Sequence, residues 1–499
     1  MKKSVIIIGA GIAGLSAGCY AQMNGFDSVI YEMHDIPGGL CTSWQRGEYI
    51  FDGCIDWLTG SAPDGMFYPL WREVGVIQGS TFFQHDAYCQ CVRNGAKPVT
   101  FWFDPDRLES ELLSHAPQDD TVISEICGLI RTLKTFKPVV NKAPEVMGFA
   151  DYMRMMPDMM RHSKQYQAFF KYGKITMGQL GQRFVSTELG STLASVWGEG
   201  FPVSLFASMM AWGAGKTSGF PLGGSLGVAE KMARRYLALG GTLHYKSRVE
   251  KVLTENGAAV GVRLADGSER RADYIISAAD GHDTITRLLG GQYNSEQTRQ
   301  WYGEYPTFPA YLQVSLGIGK NLSDLPVTTF YLPDKPLIVA GQEIPSMIIR
   351  NYAFDPSLAP EGKTSLAVRL FTDYAYWEKQ YADKPRYRAE KEALAQQVID
   401  AVDGLLGGIR DCVERIDVAT PATYVRYTGT WKGAAMSWLP TTENFGKNIA
   451  KTLPGLSQFY MAGQWLTPGG GLPTALKAGR DTLQMICKKE KLRFGTSEE

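Results

Sequence analysis

The chain opens with two apolar runs separated by a glycine-rich turn. Residues 5–8 are wholly apolar, which is typical of a parallel strand buried on both faces. The turn Gly9-Ala10-Gly11-Ile12-Ala13-Gly14 follows, and the small and apolar residues after it predict a helix that Asn24-Gly25 ends. Residues 28–31 predict a second strand, which runs into Glu32. The pattern therefore predicts a βαβ unit within the roughly 30 residues that such a unit needs.

Helix and strand patterns recur along the rest of the chain. Residues 258–264 and 271–277 predict a hairpin-like pair around a turn at 265–267. The other predicted elements are helices over residues 225–239, 388–406 and about 474–487, and strands over 242–246, 312–318, 366–371 and 459–462. The chain is thus predicted to be of mixed α/β type.

Nucleotide-like α/β character occurs at the start, in the middle and at the end of the chain. A chain of 499 residues is too long for one simple core. We predict a discontinuous nucleotide-binding domain made of residues 1–63, 221–292 and 441–490. The segments between them, 64–220 and 293–440, are predicted to form a substrate-binding domain.

Composition and charge exclude several classes of function. Lys plus Arg equals Asp plus Glu at 51 each, so nothing favours nucleic acid as a partner. Eight cysteines without a CxxC pair argue against a zinc site, an iron–sulfur cluster and a disulfide framework. The six histidines show no metal-binding spacing. We therefore expect no metal site and a reduced, cytoplasmic location.

The first twenty residues also imitate a targeting signal. Lys2-Lys3 precede the mostly apolar stretch 4–21, as in a signal peptide or a short membrane helix. However, glycines at 9, 11, 14 and 18 fall at the spacing of a dinucleotide-binding loop, and no stop-transfer pattern follows. These features favour a buried strand, turn and helix.

The opening glycines and the acidic residue after the second strand predict a dinucleotide site. Gly9, Gly11 and Gly14 permit a tight turn and a close approach of backbone N–H groups to a pyrophosphate. The carboxylate of Glu32 can accept hydrogen bonds from ribose hydroxyls and would repel a 2′-phosphate. Strand, glycines, helix, second strand and terminal acid together are far more specific than the glycines alone.

Three further sequence blocks extend the match. Gly38-Gly39 and Phe51-Asp52-Gly53 follow the acid, Pro221-Leu222-Gly223-Gly224 precedes the predicted middle helix, and Pro468-Gly469-Gly470-Gly471-Leu472-Pro473 precedes the last one. With these blocks the chain resembles the phytoene desaturase branch of the FAD amine-oxidase-like proteins, which includes carotenoid isomerases and retinol saturases. The resemblance spans nearly the whole chain.

The resemblance implies FAD, bound non-covalently because no cysteine lies in the C-terminal loop. It implies a Rossmann-like FAD-binding domain of the GR2 type, with an inserted α+β substrate domain and a helical lid or membrane-contacting region near residues 147–185. The cofactor-binding residues expected from the motifs are Gly9, Gly11, Ile12, Ala13, Gly14, Glu32, Met33, Gly38, Gly39, Leu40, Val249, Gly463, Gly471, Leu472 and Pro473. Leu40 replaces an arginine that many relatives carry.

The resemblance also places Asp56 and Trp57 beside the isoalloxazine ring, which makes them the candidate catalytic residues. Some relatives have histidine at the position of Asp56. Its carboxylate either orients or deprotonates a substrate, or is a structural group. The expected function is an FAD-dependent oxidoreductase that acts on carbon–carbon bonds of a polyene, isoprenoid or similar apolar lipid. A flavin amine oxidase and a non-catalytic isoprenoid carrier are the alternatives.

Methionine and aromatic residues are concentrated in residues 147–172, with arginines and lysines among them. Such side chains adapt to irregular apolar surfaces, and the basic groups can reach lipid headgroups. One interpretation is a lid or peripheral membrane contact over a tunnel for an apolar substrate. The other is a helical core of the second domain.

Overall fold

The computed structural model describes residues 2–138 and 140–497. Strands are numbered here in chain order. They are β1 (Ser4–Ile8), β2 (Asp27–Tyr31), β3 (Ser43–Arg46), β4 (Tyr49–Asp52), β5 (Leu58–Thr59), β6 (Phe82–Phe83), β7 (Ala87–Arg93), β8 (Val99–Trp102), β9 (Ser218–Pro221), β10 (Thr242–His244), β11 (Val249–Glu255), β12 (Ala258–Leu264), β13 (Glu269–Arg271), β14 (Tyr274–Ser277), β15 (Ala310–Ile318), β16 (Thr328–Leu332), β17 (Leu337–Val339), β18 (Gln342–Ile344), β19 (Met347–Asn351), β20 (Thr364–Thr372), β21 (Val413–Ala419) and β22 (Phe459–Met461).

Helices are numbered in the same way. They are α1 (Ile12–Met23), α2 (Tyr68–Glu73), α3 (Pro105–His115), α4 (Asp120–Leu133), α5 (Phe149–Arg161), α6 (Ser163–Tyr172), α7 (Met177–Gly181), α8 (Thr187–Trp197), α9 (Val203–Ala214), α10 (Gly224–Ala238), α11 (Gly281–Asp283), α12 (Glu296–Glu304), α13 (Tyr374–Ala382), α14 (Lys384–Leu406), α15 (Pro421–Thr428) and α16 (Gly471–Lys489).

A five-stranded parallel sheet with the order β10-β2-β1-β14-β22 carries the predicted βαβ unit. Ile6 of the central strand β1 lies opposite Val29 of β2 and Ile275 of β14. The apolar residues of β1 are buried because helices and loops cover both faces of the sheet. The predicted strand, turn and helix at the start of the chain are confirmed.

The predicted hairpin in the middle of the chain is wrong in its second half. Strand β12 pairs with the short β13 beyond the turn, and β14 instead joins the parallel sheet beside β1. All four residues of β14 are buried. Continuous apolar runs such as this one fit a strand covered on both faces better than the alternation of a surface hairpin.

A seven-stranded mixed sheet, β21-β15-β20-β19-β16-β7-β8, forms the second body. Its longest ladder joins β15 and β20, from Ala310 opposite Thr372 to Ile318 opposite Thr364. The predicted strands 312–318 and 366–371 are therefore confirmed as antiparallel partners. Helix α14 packs on this sheet through Val398 and Val402, which lie in one apolar cluster with β15 and β20.

Helix α5 stands out because none of its thirteen residues is buried and most of its large apolar side chains are exposed; α6 also has no fully buried residue. Phe149 and Met160 expose 81% and 72% of their surface, and Tyr152, Met153, Met156 and Met159 are also exposed. Helix α6 is different, since Phe169 packs against the apolar cluster that holds α4 and α9. The core interpretation of residues 147–172 thus fits one side of α6 and fails for α5.

Candidate functional site

Four loops meet at the carboxyl edge of the parallel sheet. They follow β1, β2, β14 and β22, and the parallel direction of the strands brings them together. Backbone hydrogen bonds connect them: Gly38 N–H donates to the Ala10 carbonyl at 2.8 Å, and Ala462 N–H donates to Ser277 at 2.8 Å. The predicted glycine and acid motifs near the start of the chain and the predicted glycine loop near its end therefore lie at the same edge of the parallel sheet.

The glycines at this edge allow contacts that a side chain would block. A Cβ at Gly14 would lie 1.9 Å from the Gly9 carbonyl oxygen, so helix α1 reaches the turn only with glycine there. A Cβ at Gly38 would lie 2.2 Å from the Cys41 carbonyl oxygen. A Cβ at Gly39 would lie 3.7 Å from the Cα of Gly11, an ordinary contact distance. Gly14 and Gly38 thus keep each loop tightly turned, and the hydrogen bond from Gly38 N–H to the Ala10 carbonyl joins the two loops, so that backbone groups line this edge as a phosphate ligand requires.

Glu32 directly follows β2, is buried, and is held by two backbone groups. Its Oε2 accepts a hydrogen bond from Ala10 N–H at 2.6 Å and its Oε1 accepts one from His34 N–H at 2.8 Å. Each carboxylate oxygen has a second lone pair for a ligand hydroxyl. Ser247 N–H donates to the Glu32 carbonyl, which brings Val249 at the start of β11 to the same end of the edge.

The C-terminal glycine loop leads into α16 earlier than predicted. The helix begins at Gly471 and not near residue 474, because proline is compatible with the first turn, where Pro473 lies. Gln464 Oε1 accepts a hydrogen bond from Gly471 N–H at 3.2 Å. Gly463 has φ +141° and open space where a side chain would stand. Leu472 is partly buried against the apolar cluster that holds β1 and α1.

Helix α16 lies directly against α1. A Cβ at Gly479 would lie 2.4 Å from the Ala13 carbonyl oxygen and 2.8 Å from the Ser16 Cβ, so the two helices touch backbone to backbone. Ser16 Oγ donates to the Leu476 carbonyl at 2.6 Å. Neither helix carries an acidic residue in its first turn, which leaves the positive ends of both dipoles available for an anionic ligand.

Asp52 connects β4 to the start of α10. Its Oδ1 accepts hydrogen bonds from Ser225 Oγ at 2.7 Å and from Cys54 N–H at 3.1 Å, and its Oδ2 accepts one from Ser225 N–H. Burial raises the pKa of Asp52, and the Ser225 and Cys54 hydrogen bonds oppose that shift. The Phe51-Asp52-Gly53 block is thereby fixed to the helix that follows the Pro221-Leu222-Gly223-Gly224 block.

Asp56 lies between two arginines that sequence analysis did not find. Arg369 Nη1 is 2.9 Å from Oδ1 and 3.1 Å from Oδ2 of Asp56, and Arg350 Nε is 3.3 Å from Oδ1. The arginine side chains are 10% and 3% exposed, whereas Asp56 keeps 33% of its side chain exposed. Burial opposes ionisation, but both guanidinium groups together hold the pKa of Asp56 below its ordinary value.

Uncharged groups complete the surroundings of Asp56. His85 Nε2 lies 3.2 Å from the Asp56 carbonyl oxygen, and burial, with Arg350 nearby, lowers the pKa of His85 to about 3. The imidazole is therefore neutral at physiological pH. Trp57 packs against Tyr88 with ring centroids 5.4 Å apart, and Tyr88 stacks in turn on Trp197. A fixed carboxylate thus adjoins an aromatic wall.

Similarity to known proteins agrees with this geometry. The sequence profile of the family described as flavin containing amine oxidoreductase matches residues 12–484. The chain belongs to this family. It is 24% identical to the prolycopene isomerase of Daucus carota over 94% of this chain and 78% of that protein. It is 25% identical to the 4,4'-diapophytoene desaturase (4,4'-diapolycopene-forming) of Methylomonas sp over 99% and 96% of the two chains.

A flavin oxidoreductase fold is also found among solved structures. Putrescine oxidase bound to putrescine superposes with a TM-score of 0.62 at 13% identity, over 98% of this chain and 99% of that one. At this identity the likeness concerns the fold. This member of the flavin-containing amine oxidoreductases is an FAD-dependent oxidoreductase, and the residues present fit the cofactor: two tight glycine loops, two helix N-termini without an acidic first turn and a buried carboxylate after β2.

Proposed function

We propose that this FAD-dependent oxidoreductase acts on carbon–carbon bonds of a polyene, an isoprenoid or a similar apolar lipid. The reaction is a desaturation, a saturation or a cis–trans isomerisation. The observation that carries the proposal is the likeness to a prolycopene isomerase and to a carotenoid desaturase over nearly the whole chain. The glycine motifs at the carboxyl edge of the parallel sheet would by themselves fit many flavoproteins.

The surroundings of Asp56 support an apolar substrate. Trp57 and Tyr88 are half-buried and make this region aromatic and apolar, and Trp197 beneath them belongs to an apolar core. Asp56 is held in its ionised form by Arg350 and Arg369, so it is unsuited to donate a proton. When bound, FAD supplies the two-electron chemistry. The tasks left to this chain are to orient the substrate and to exclude water, which require few acid–base groups.

We propose roles for the predicted site residues on the same basis. Gly11, Gly39 and the first turn of α1 hold the pyrophosphate, Glu32 holds the adenosine ribose, and the first turn of α16 faces the flavin. The ionised Asp56 fixes its segment on Arg350 and Arg369, and it orients the substrate only where the lipid carries a polar end group. Trp57 lines the apolar path to it. The cofactor is bound non-covalently.

The absorption spectrum of the purified protein tests the proposal. A flavin spectrum that bleaches anaerobically on addition of a carotenoid precursor identifies a desaturase. Conversion of the same polyene only after prior flavin reduction identifies a saturase or an isomerase. The number of double bonds in the product, measured by chromatography, distinguishes a saturase from an isomerase. A flavin protein that leaves every polyene unchanged but forms peroxide with primary amines would replace the proposal with an amine oxidase.

We further propose that α5 contacts a membrane surface. Its exposed side chains Phe149, Met156 and Met160 fall on one stripe of the helix, and Arg154 and Arg161 are within reach of lipid phosphates. None of the helices in the described part of the chain has the length and apolarity to cross a bilayer. The proposed contact is therefore a peripheral one, through which an apolar substrate enters.

A further inference from the structure

Two buried arginines share one carboxylate at the Asp56 site. Arg350 and Arg369 are each more than nine-tenths buried, and both lie within ion-pair distance of Asp56. In the part of the chain that the structure describes, neither guanidinium group has a second carboxylate at that distance. Asp52, on the same segment as Asp56, is instead bound by Ser225 at the start of α10. Two positive charges thus face one negative charge.

The excess positive charge is unfavourable in the interior. Buried guanidinium groups lose contact with water, so they are stable only where other groups balance their charge. His85, which contacts the Asp56 carbonyl oxygen, does not alter the balance, because burial and Arg350 lower its pKa to about 3 and leave it neutral. A second anion would balance the charge of the cluster formed by Arg350, Arg369 and Asp56.

The cluster also holds buried polar atoms that no protein group binds. Arg369 donates from Nε to Gln313 Oε1 at 3.1 Å and from Nη1 to Asp56, whereas its Nη2 has no hydrogen-bond partner among the described residues. The hydroxyl of Tyr352, a residue that is 1% exposed, has none among them either. The Tyr352 ring centroid lies 5.7 Å from the guanidinium carbon of Arg350. Buried donors in proteins almost always have an acceptor, so a ligand oxygen fits this place.

The cluster is open on the side of Asp56. The side chain of Asp56 is 33% exposed, although both arginines are buried. Trp57 and Tyr88 beside it are half-buried, and so is Tyr311, whose ring centroid lies 5.6 Å from the guanidinium carbon of Arg369. A ligand that reaches the cluster from this side therefore passes aromatic rings on its way to the arginines. An apolar chain with a polar end fits this sequence of surfaces.

We propose that the cluster binds the carboxylate of an apolar acid, such as a long-chain or isoprenoid acid. The carboxylate accepts hydrogen bonds from Arg369 Nη2 and from the Tyr352 hydroxyl, and the hydrocarbon chain lies on Trp57 and Tyr88. Arginine suits this task because its planar donors match the oxygens of a carboxylate. The inference rests on the function proposed above and narrows its substrate to an acidic lipid.

Isothermal titration calorimetry of the FAD-loaded protein with decanoate tests the site. Decanoate should bind at least about tenfold more tightly than decan-1-ol, because only the carboxylate balances the excess charge. Tyr352→Phe removes one hydroxyl and keeps the ring, so it should weaken decanoate binding about tenfold. The matched control is Tyr331→Phe on the neighbouring strand β16, where the lost hydroxyl donates to Asn94, and it should bind decanoate like the wild type.

Arg369→Lys gives a second readout. It keeps one cation for Asp56 but removes the unpartnered nitrogen, so decanoate affinity should again fall at least about tenfold. Equal decanoate binding by the wild type and Tyr352→Phe, or no preference for decanoate over decan-1-ol, overturns the proposal and indicates that water alone binds these donors.

The assay is independent of polyene chemistry, because decanoate is saturated and its binding needs no turnover. A protein that binds decanoate through Tyr352 but converts no polyene contradicts only the proposed function. Polyene turnover without selective decanoate binding contradicts only the carboxylate site.

Discussion

Arg369 binds Asp56 through a single nitrogen, Nη1, which lies 2.9 Å from Oδ1 and 3.1 Å from Oδ2, although 313 residues separate the two in sequence. Arg350, on the neighbouring strand, approaches the same carboxylate and also donates from Nη2 to the Asp56 carbonyl at 3.1 Å. The segment that follows the glycine loop is therefore fixed on the seven-stranded sheet. The interaction joins the segment after β4 to strands β19 and β20 of the second body.

Replacing Asp56 with asparagine is expected to destabilise the protein. Two buried guanidinium groups would then lack their shared carboxylate, and breaking such a pair costs about 3 kcal/mol. Urea unfolding of the Asp56→Asn variant measures the change. Asp35→Asn, at an exposed carboxylate, is the control and is expected to stay within about 0.5 kcal/mol of the wild type. A wild-type midpoint for Asp56→Asn would show that the ion pair contributes nothing.

The stabilisation from Asp56 is expected to depend on pH. Its pKa in the folded protein is lower than in the unfolded chain, so the stabilisation is complete above the unfolded value of about 4. It is lost as the pH falls through the folded pKa. The unfolding free energy of wild type minus that of Asp56→Asn should therefore be constant at neutral pH and shrink in acid. A difference that grows in acid would contradict the assigned direction.

Asp280 is expected to give the opposite pH dependence. Burial raises its pKa to about 7, against the hydrogen bonds from Trp431 and Asp283 N–H groups. Between about pH 4 and 7 the folded state then holds a proton that the unfolded chain has lost, so stability falls as the pH rises, by at most about 1.4 kcal/mol per pH unit. In Asp280→Asn this slope should be absent. Parallel pH profiles for the two proteins would exclude the raised pKa.

Gly14→Ala is expected to abolish FAD retention. The new Cβ would lie 1.9 Å from the Gly9 carbonyl oxygen, so α1 must move away from the turn. The flavin-to-protein absorbance ratio after purification measures the loss. Gly128→Ala in α4 is the matched control, because nothing lies within 4 Å of its added Cβ and alanine favours a helix by about 1 kcal/mol. Full flavin content in Gly14→Ala would refute the proposed pyrophosphate turn.

The exposed face of α5 is expected to determine vesicle binding. Serine at Phe149, Met156 and Met160 together removes the apolar stripe, and pelleting with anionic phospholipid vesicles should fall at least about tenfold. Ile338→Ser, at a half-exposed apolar residue on β17, is the control and should pellet like the wild type. No pelleting of the wild-type protein would end the membrane proposal.

The motifs at the carboxyl edge of the parallel sheet were largely predictable from the sequence, whereas the surroundings of Asp56 were not. The turn from Gly9 to Gly14 and the acid at position 32 are local patterns, and the structure places them as the patterns indicate. Arg350 and Arg369 lie in the strands β19 and β20, where an arginine ordinarily marks a solvent-facing position. Only the tertiary fold turns them toward a carboxylate from another part of the chain.

The mistaken elements have local physical reasons. The turn at 265–267, which the structure contains, led to the prediction of a hairpin over residues 258–264 and 271–277. Beyond this turn, however, β12 pairs only with the three residues of β13. Helices α14 and α16 begin earlier than predicted, and both carry a proline in the first turn, where no N–H is needed. In a sequence, a proline usually indicates the end of a helix, although the first turn of a helix accepts it.

The strand order of the parallel sheet determines when the protein can first hold its cofactor during synthesis. The sheet takes its strands from the beginning, the middle and the end of the chain, and β22 at one edge begins only at residue 459. A chain synthesised only to residue 458 has neither this strand nor α16. The parallel sheet is completed only after the inserted segments of the second body have been made, so we expect flavin capture to wait for β22 and α16.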